Sequence, residues 1–193
     1  MLKLDMAKEE KPAEYRCSPG YLELQKQMAP SYEGAGRLYA GRVYLIASQL
    51  LKLNWPNIIT FLDYGCGKGS LQETMRSEYT QLDQLAYRGY NLGDDDPLPA
   101  DLVTSTDMME HVEPECVSAV LNHIQSLTKR VAFFAIDTQP ARKTLPDGRN
   151  AHICLKPYEY WEGQIKKRFI VTESYGRGST IMFVCQAFPK EIS

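Results

Sequence analysis

Short apolar runs alternate along this chain with stretches in which apolar residues recur at helical spacing. The run Ile58-Ile59-Thr60-Phe61-Leu62-Asp63-Tyr64 is apolar and rich in β-branched residues, which is typical of a buried parallel strand. The same patterns predict further strands at 85–90, 101–106 and 131–136, and helices at about 70–79, 114–127 and 157–169. Strands that alternate with helices predict a mostly parallel sheet with helices on both faces.

The two ends of the chain depart from that alternation. Residues 13–56 are predicted to be helical, with breaks at Pro19-Gly20, Pro30 and 34–36 and with Ser31 as a candidate cap. One face of the second helix can pack on a core, and it carries Leu38, Val43, Ile46, Leu50 and Leu53. Near the C-terminus, a short glycine-containing turn separates strands predicted at 169–173 and 181–188, which favours an antiparallel hairpin. We therefore expect an N-terminal helical extension at 1–57 and an α/β core at 58–193.

Length, charge and cysteine content narrow the class of protein. The chain has 193 residues, of which 44% are hydrophobic and 24% charged, so one globular domain is expected and a disordered chain is excluded. A net charge of −2 argues against a protein that holds duplex nucleic acid by bulk positive charge. Five scattered cysteines without a CxxC pair predict reduced thiols in a cytoplasmic protein. No apolar run reaches the roughly 18–20 residues of a membrane span, and residues 1–12 lack the apolar core of a signal peptide.

A glycine-rich break, Gly65-Cys66-Gly67-Lys68-Gly69, follows the first predicted strand and precedes a helix. Glycines allow a tight turn and a close approach of the backbone to a ligand, and a helix N-terminus offers N–H donors to a carboxylate or phosphate. The spacing is not GxxxxGK[ST], so a nucleoside triphosphate is disfavoured. The alternative is a tight strand–helix turn that binds no ligand.

The stretch FLDYGCGKG closely resembles motif I of the class I S-adenosylmethionine-dependent methyltransferases. The resemblance implies S-adenosylmethionine as the cofactor, with its amino-acid part facing Asp63, Gly65, Gly67 and Gly69. In that family the second strand ends in an acidic residue that binds the ribose hydroxyls. Asn91 stands at this position here, and an amide can bond to a hydroxyl without charge. The carboxylates at 94–96 are alternative partners for the ribose.

The chain also lacks room for one unit of that family. Only nine residues, 92–100, separate Asn91 from the strand that begins at Asp101, where the family has a helix and a third strand. We therefore expect a compact Rossmann-like fold without the third-strand unit, similar throughout its length to compact methyltransferase-like proteins of bacteria and phages. The adenine pocket would then be built from residues 91–99 or from the N-terminal helices.

An acidic–histidine segment follows the strand predicted at 101–106. The strand end places Asp107, Glu110 and His111 at the carboxyl edge of the sheet, where open α/β sheets bind ligands. If the chain turns helically there, the three side chains share one face. Two carboxylates and an imidazole can hold a divalent cation or carry out acid–base chemistry.

This segment resembles MExxEHV of the ubiquinone-pathway O-methyltransferases and the equivalent segment of small-RNA 3′-terminal 2′-O-methyltransferases. Both groups associate it with a divalent cation, and the RNA enzymes add a second histidine before an aromatic-rich helix. His152 holds that place here, since Tyr158, Tyr160 and Trp161 follow it. The implied set for catalysis, and for Mg²⁺ or another divalent cation, is Asp107, Glu110, His111 and His152, with Asp107 also among the cofactor contacts. The alternative is that the segment binds no metal and His111 caps a turn or acts as a lone base.

Two further segments are candidates for binding. The long polar loop at 137–152 carries Arg142, Lys143 and Arg149, which can grip a phosphate or carboxylate of a substrate, or can be ordinary surface charges. The N-terminal helices resemble the lid of related methyltransferases, and the residues concerned are Tyr32, Gly34, Gly36, Arg37, Tyr39 and Arg42, the aromatic ones being equally suited to the core. His123 receives no role.

The functional hypothesis is methyl transfer from S-adenosylmethionine to an oxygen, or less readily a nitrogen, of a small or nucleotide-like acceptor. The chain has no Asn/Asp-Pro-Pro-Tyr/Phe motif, which argues against DNA methylation at exocyclic amines. Two alternatives stay open: methylation of nucleic acid at a ribose 2′-oxygen or a base, and a non-catalytic binding protein that retains the fold. The near-neutral charge favours a small acceptor over nucleic acid and over a membrane surface.

Overall fold

The computed structural model describes residues 15–29, 34, 36–54, 57, 59–79 and 85–189. Six strands form one sheet in the order β2-β1-β3-β4-β6-β5. The strands are β1 Ile59–Tyr64, β2 Leu85–Tyr90, β3 Ala100–Thr106, β4 Thr128–Asp137, β5 Phe169–Arg177 and β6 Thr180–Ala187. The helices are α1 Pro19–Met28, α2 Ala40–Asn54, α3 Ser70–Glu78, α4 Val117–Leu127 and α5 Tyr158–Lys166.

The first four strands are parallel, and the last two form the predicted antiparallel hairpin. β1 pairs in parallel with β2 and β3, and β3 pairs in parallel with β4. β6 runs antiparallel to both β4 and β5. The parallel strands therefore end at one edge of the sheet, which brings the glycine turn after β1 beside the acidic–histidine segment after β3.

Residues 91–99, which connect β2 to β3, contain neither helix nor strand, so the expected loss of the third-strand unit is confirmed. Helix α1 lies against this connection. A β-carbon at Gly93 would lie 3.1 Å from the Leu22 side chain, and the Arg16 guanidinium pairs with Asp96 at 2.6 Å. The N-terminal segment thus packs against the short connection that stands in place of the missing unit.

Helices bury both faces of the sheet. Helices α4 and α5 pack on one face through residues that include Val120, Leu121, Ile124, Trp161 and Ile165. Helices α2 and α3 pack on the other face through residues that include Val43, Ile46, Leu50, Leu71 and Met75. Because α2 contributes to the core, the residues before β1 are not only a covering element, and the boundary at residue 57 stays a prediction.

The N-terminal helices differ in detail from the sequence prediction. Pro19-Gly20 begins α1 instead of breaking a helix: Pro19 occupies the first turn, and the Ser18 hydroxyl accepts the Tyr21 N–H at 3.3 Å as a cap. Leu38 and Leu53 lie outside the buried face of this region, with 73% and 78% of their surface exposed. Pro30, Ser31 and Tyr32 lie outside the described residues.

The predicted helix at 114–127 begins with a short 3-10 turn, Pro114–Cys116, before α4. Within the described ranges, no helix combines the length and the apolar character that a bilayer crossing requires.

Candidate functional site

The glycine turn after β1 uses backbone conformations that only glycine adopts readily. Gly65, Gly67 and Gly69 have φ angles of 85°, 52° and 80°. A β-carbon at Gly65 would lie 2.4 Å from the Met108 side chain, so this turn packs directly on the segment that follows β3. A β-carbon at Gly67 would meet nothing within 4 Å, which leaves the outer side of the turn open to a ligand.

Asn91, predicted to contact the ribose, braces the glycine turn. Its Oδ1 accepts the Gly67 N–H at 2.8 Å, and its own N–H donates to Asp94 Oδ2 at 2.9 Å. The Asp96 carboxylate, one of the alternative ribose partners, is paired with Arg16. The structure therefore gives Asn91 a role in shaping the turn, and its contact with a ribose stays a prediction.

Asp63 lies inside the sheet, only 2% exposed, and ties three strands together. Its two oxygens accept hydrogen bonds from the Tyr87 hydroxyl on β2 at 2.8 Å and from the Thr104 hydroxyl on β3 at 3.0 Å. Burial raises the pKa of Asp63 to about 6, although both hydrogen bonds act in the opposite direction. Asp63 thus supports the strand end that carries the glycine turn, and its predicted contact with the cofactor stays untested.

Asp107 turns the chain at the end of β3. It is the one described non-glycine residue with a positive φ, 48°, a conformation that aspartate tolerates better than most residues. Its carboxylate accepts from the Tyr39 hydroxyl at 2.5 Å, and its N–H donates to the Ala135 carbonyl at 2.9 Å. Burial raises the pKa of Asp107 above its ordinary value.

Glu110 is a fully buried carboxylate that is only half satisfied. It lies in the 3-10 turn Met109–His111, and its Oε1 accepts the Asp137 N–H at 3.1 Å. Its Oε2 has no hydrogen-bond partner among the described residues. Burial, reinforced by the charge of Asp107, raises the pKa of Glu110 well above its ordinary value. A buried oxygen without a partner is costly, so a cation or a proton is expected there.

Two histidines face each other beside this carboxylate. The rings of His111 and His152 meet edge to face with their centroids 4.7 Å apart. His111 Nδ1 lies 2.8 Å from the Ala151 carbonyl oxygen, and His152 Nδ1 lies 2.6 Å from that of Gln139. Because a carbonyl oxygen only accepts, both Nδ1 atoms carry a proton, which in a neutral imidazole leaves the lone pair on Nε2. Burial, together with His152, lowers the pKa of His111 to about 4, so this ring is neutral at pH 7.

Glu110, His111 and His152 form a cluster whose ligand atoms all lie within 4.8 Å of one another. The structure thus brings together three of the four residues predicted to hold a metal. Asp107 is not in this group, because the positive φ breaks the expected helical turn and the Tyr39 hydroxyl engages its carboxylate. We call these three residues the Glu–His–His cluster.

The loop after β4 carries His152 to the cluster and is organised by Asn150. The Asn150 Oδ1 accepts the N–H groups of Ala141 and His152, both at 2.9 Å, and its Nδ2 donates to the Ala141 carbonyl at 2.9 Å. Sequence analysis assigned Asn150 no role. An asparagine in a turn-rich loop commonly bonds to the backbone two residues further on, and His152 stands two residues after Asn150.

A cavity of about 430 Å³ opens next to His152. It is lined by Glu113, Pro114, Glu115, Arg149, Asn150, His152 and Ile153. Of the three basic residues predicted to bind substrate, Arg149 lines this cavity, whereas Arg142 and Lys143 do not. The Arg149 guanidinium is paired with Asp147 at 2.7 Å.

Helix α1, which the sequence suggested as a lid, is docked on the same region. The Tyr21 hydroxyl donates to the His111 carbonyl at 2.7 Å, and Glu113 accepts the Ser18 N–H at 2.7 Å and the Ser18 hydroxyl at 2.6 Å. Sequence analysis did not single out Tyr21, Ser18 or Glu113, since nothing local to them reveals a partner about 90 residues away.

The other described residues that the sequence suggested for a lid lie in different places. Tyr39 reaches the site through Asp107, whereas Arg42 contacts Glu173 and lies 5.6 Å from the Tyr175 ring, both on β5. Gly36 packs on α3, because a β-carbon there would lie 2.8 Å from Leu71 Cβ. The Arg37 side chain is exposed.

His123, to which the sequence assigned nothing, joins the N-terminal segment to α4. Its Nδ1 lies 2.9 Å from the Tyr64 hydroxyl and 2.7 Å from an Arg16 nitrogen. Burial, together with the charge of Arg16, lowers the pKa of His123. These contacts indicate a structural role away from the Glu–His–His cluster.

Comparisons with known proteins agree with this architecture. No family model matches the sequence, and no curated protein matches it significantly. Among solved structures, the DhpI–SAH complex has 20% sequence identity and a TM-score of 0.54, covering 90% of this chain and 100% of that chain. Magnesium protoporphyrin IX methyltransferase (ChlM) from Synechocystis PCC 6803 with bound SAH has 16% identity and a TM-score of 0.51, covering 77% and 83%. The chain therefore has the fold of class I S-adenosylmethionine-dependent methyltransferases, as its glycine motif predicted.

Proposed function

We propose that this protein is an S-adenosylmethionine-dependent methyltransferase that acts on an oxygen of a small or nucleotide-like acceptor with the help of a divalent cation. The observation that carries the proposal is the Glu–His–His cluster, which lies at the carboxyl edge of the sheet beside the glycine turn. Open α/β sheets bind their ligands at this edge.

The glycine turn fits the proposed cofactor. The space outside Gly67 admits a ligand against the backbone, and the hydrogen bond from the Gly67 N–H to Asn91 stabilises the conformation of the turn. Both structures compared above contain the demethylated cofactor, SAH, on the same fold. The cofactor supplies an activated methyl group, so the task of the protein is to hold donor and acceptor in line.

The cluster fits a divalent cation. Glu110 Oε2 is buried without a partner, and both histidines direct their protonated nitrogen to a backbone carbonyl, as metal-bound histidines commonly do. Two imidazoles with one carboxylate suit first-row transition-metal ions such as Mn²⁺ better than Mg²⁺. A bound cation lowers the pKa of a coordinated hydroxyl group, which is the activation that an oxygen acceptor needs.

Isothermal titration calorimetry tests the two parts of this proposal separately. We expect the wild-type protein to bind S-adenosylmethionine and, in a second titration, Mn²⁺. Absence of cofactor binding at millimolar concentration would refute the enzymatic function altogether.

Single variants test the metal. Glu110→Gln and His152→Ala should lose Mn²⁺ binding and retain cofactor binding, because neither residue belongs to the glycine turn. Glu159→Gln, at an exposed position of α5, is the control that should keep both. Mn²⁺ binding that is unchanged in both cluster variants would contradict the metal site.

A further inference from the structure

We propose that the cavity beside His152 is the acceptor pocket and that it selects a small molecule without phosphate groups, carrying a neutral or cationic group next to the methylated oxygen. This inference rests on the proposed methyl transfer and names the class of acceptor, which that proposal leaves open.

The position of the cavity follows from the residues that it shares with the cluster. His152 lines it, and the ligand atoms of Glu110 and His111 lie within 4.8 Å of that of His152. A hydroxyl group that enters the cavity therefore comes next to His152, the member of the cluster that lines it. The volume of about 430 Å³ lies in the range of pockets that hold small metabolites.

The charge of the wall argues against an anionic acceptor. Glu113 and Glu115 both line the cavity, and Arg149 is the one basic side chain among the described residues of its wall. The Arg149 guanidinium is already paired with Asp147, with Nε to Oδ2 at 2.8 Å as well as the contact at 2.7 Å. In the metal-free protein, a phosphate in this cavity would meet two carboxylates and a cation whose charge is largely compensated, so repulsion is expected.

Glu115 is the residue that discriminates between acceptors. Glu113 is 8% exposed, and Ser18 donates to both of its oxygens, so its carboxylate mainly fastens α1. Glu115 is exposed at the cavity, where an amine or a hydroxyl of the acceptor can reach it. Pro114 and Ile153 supply apolar wall for a carbon skeleton.

Protein-observed NMR with a fragment library tests this inference on the Mn²⁺-free full-length protein, since Mn²⁺ would broaden the resonances. The library contains equal shares of cationic, neutral and phosphorylated or carboxylated fragments, and binding in the cavity is recognised by shifts of the Ile153 and Asn150 resonances. We expect most of the fragments that bind to be cationic or neutral and polar, and we expect anionic fragments to have at least tenfold lower affinity. A short RNA oligonucleotide should displace none of them.

Charge reversal at one position completes the design. Glu115→Lys should weaken the binding of cationic fragments about tenfold at low salt and reduce the difference in affinity between cationic and anionic fragments. Glu78→Lys should leave the affinities of both kinds of fragment unchanged. Glu78 is the matched control because it is exposed on α3, which packs on the opposite face of the sheet. A library in which anions bind best, displacement by the oligonucleotide, or no binding in the cavity would overturn the inference. Failure of the methyl transfer itself is distinguished by the cofactor titration, which does not depend on the cavity.

Discussion

Replacing Asp63 by asparagine should change how the stability of this protein depends on pH. The Asp63 carboxylate is buried near the C-terminal end of β1, and the Tyr87 and Thr104 hydroxyls donate to it. Asparagine has nearly the same shape and keeps one oxygen for these donors, but it carries no charge at any pH. The variant therefore isolates the free-energy cost of ionising this one buried group.

The sign and the size of this pH dependence follow from the pKa of Asp63. Burial raises the pKa of Asp63 from an ordinary value of 3.8 to about 6, so the folded state holds the proton more tightly than the unfolded state. Well below pH 3.8 the group is protonated in both states and costs nothing. As the pH rises from the unfolded pKa of 3.8 to the folded pKa of about 6, the wild-type protein loses about 3 kcal/mol of unfolding free energy on account of this group, since each pKa unit corresponds to roughly 1.4 kcal/mol.

Urea denaturation between pH 4 and pH 7.5, followed by circular dichroism, measures the effect. We expect the stability of Asp63→Asn relative to wild type to rise by about 2.5 kcal/mol over this range, with most of the rise below pH 6. Taking the difference removes the contribution of groups that titrate equally in both proteins. A difference that does not change with pH, or that falls as the pH rises, would refute the reasoning.

Asp101→Asn is a control, because the pKa of this carboxyl is shifted in the opposite direction to that of Asp63. Burial acts to raise the pKa of Asp101, but the hydrogen bonds from the Thr60 hydroxyl at 2.6 Å and the Thr60 N–H at 2.9 Å outweigh it and lower the pKa. The stabilisation by this carboxylate is therefore present above its ordinary pKa of 3.8 and is lost only in more acidic solution. Asp101→Asn should be less stable than wild type by an amount that stays constant from pH 5 to pH 7.5.

Four further variants test the residues around the carboxyl edge of the sheet. Gly65→Ala should destabilise the fold by about 3 kcal/mol or more, because its β-carbon would clash with Met108, whereas Gly67→Ala should cost about 1–2 kcal/mol from backbone conformation alone; thermal denaturation compares them. Asn91→Ala should weaken S-adenosylmethionine binding several-fold in calorimetry through loss of the bond to the glycine turn, and equal affinity would contradict the bracing role. Tyr21→Phe should cost about 1–2 kcal/mol in urea denaturation, since it removes two partly buried hydrogen bonds, one donated to the His111 carbonyl and one accepted from Gln25.

The local pattern of apolar residues and glycines in the sequence was sufficient to predict the strands and the glycine turn. β1 and β2 lie within one residue of their predicted bounds. For β1 the reason is burial, because a strand that is covered on both faces needs a mostly apolar stretch. The shortness of the segment at 91–99 excluded the third-strand unit by chain length alone. Helix starts were less predictable: Pro19 suggested a break, whereas the Ser18 cap makes it the first residue of α1.

The sequence by itself therefore determined the sheet, its hairpin and the residue types available for chemistry. Only the tertiary structure decided which of them meet. Glu110, His111 and His152 converge because the loop after β4, which Asn150 organises, is bonded to the turn after β3 through the Ala151 carbonyl and the Cys154 N–H. Asp107 lies outside that group, and its carboxylate accepts the Tyr39 hydroxyl instead. The physical reason is that periodicity reports which face of an element a residue occupies, whereas the partner of a polar side chain depends on contacts between segments far apart in the chain.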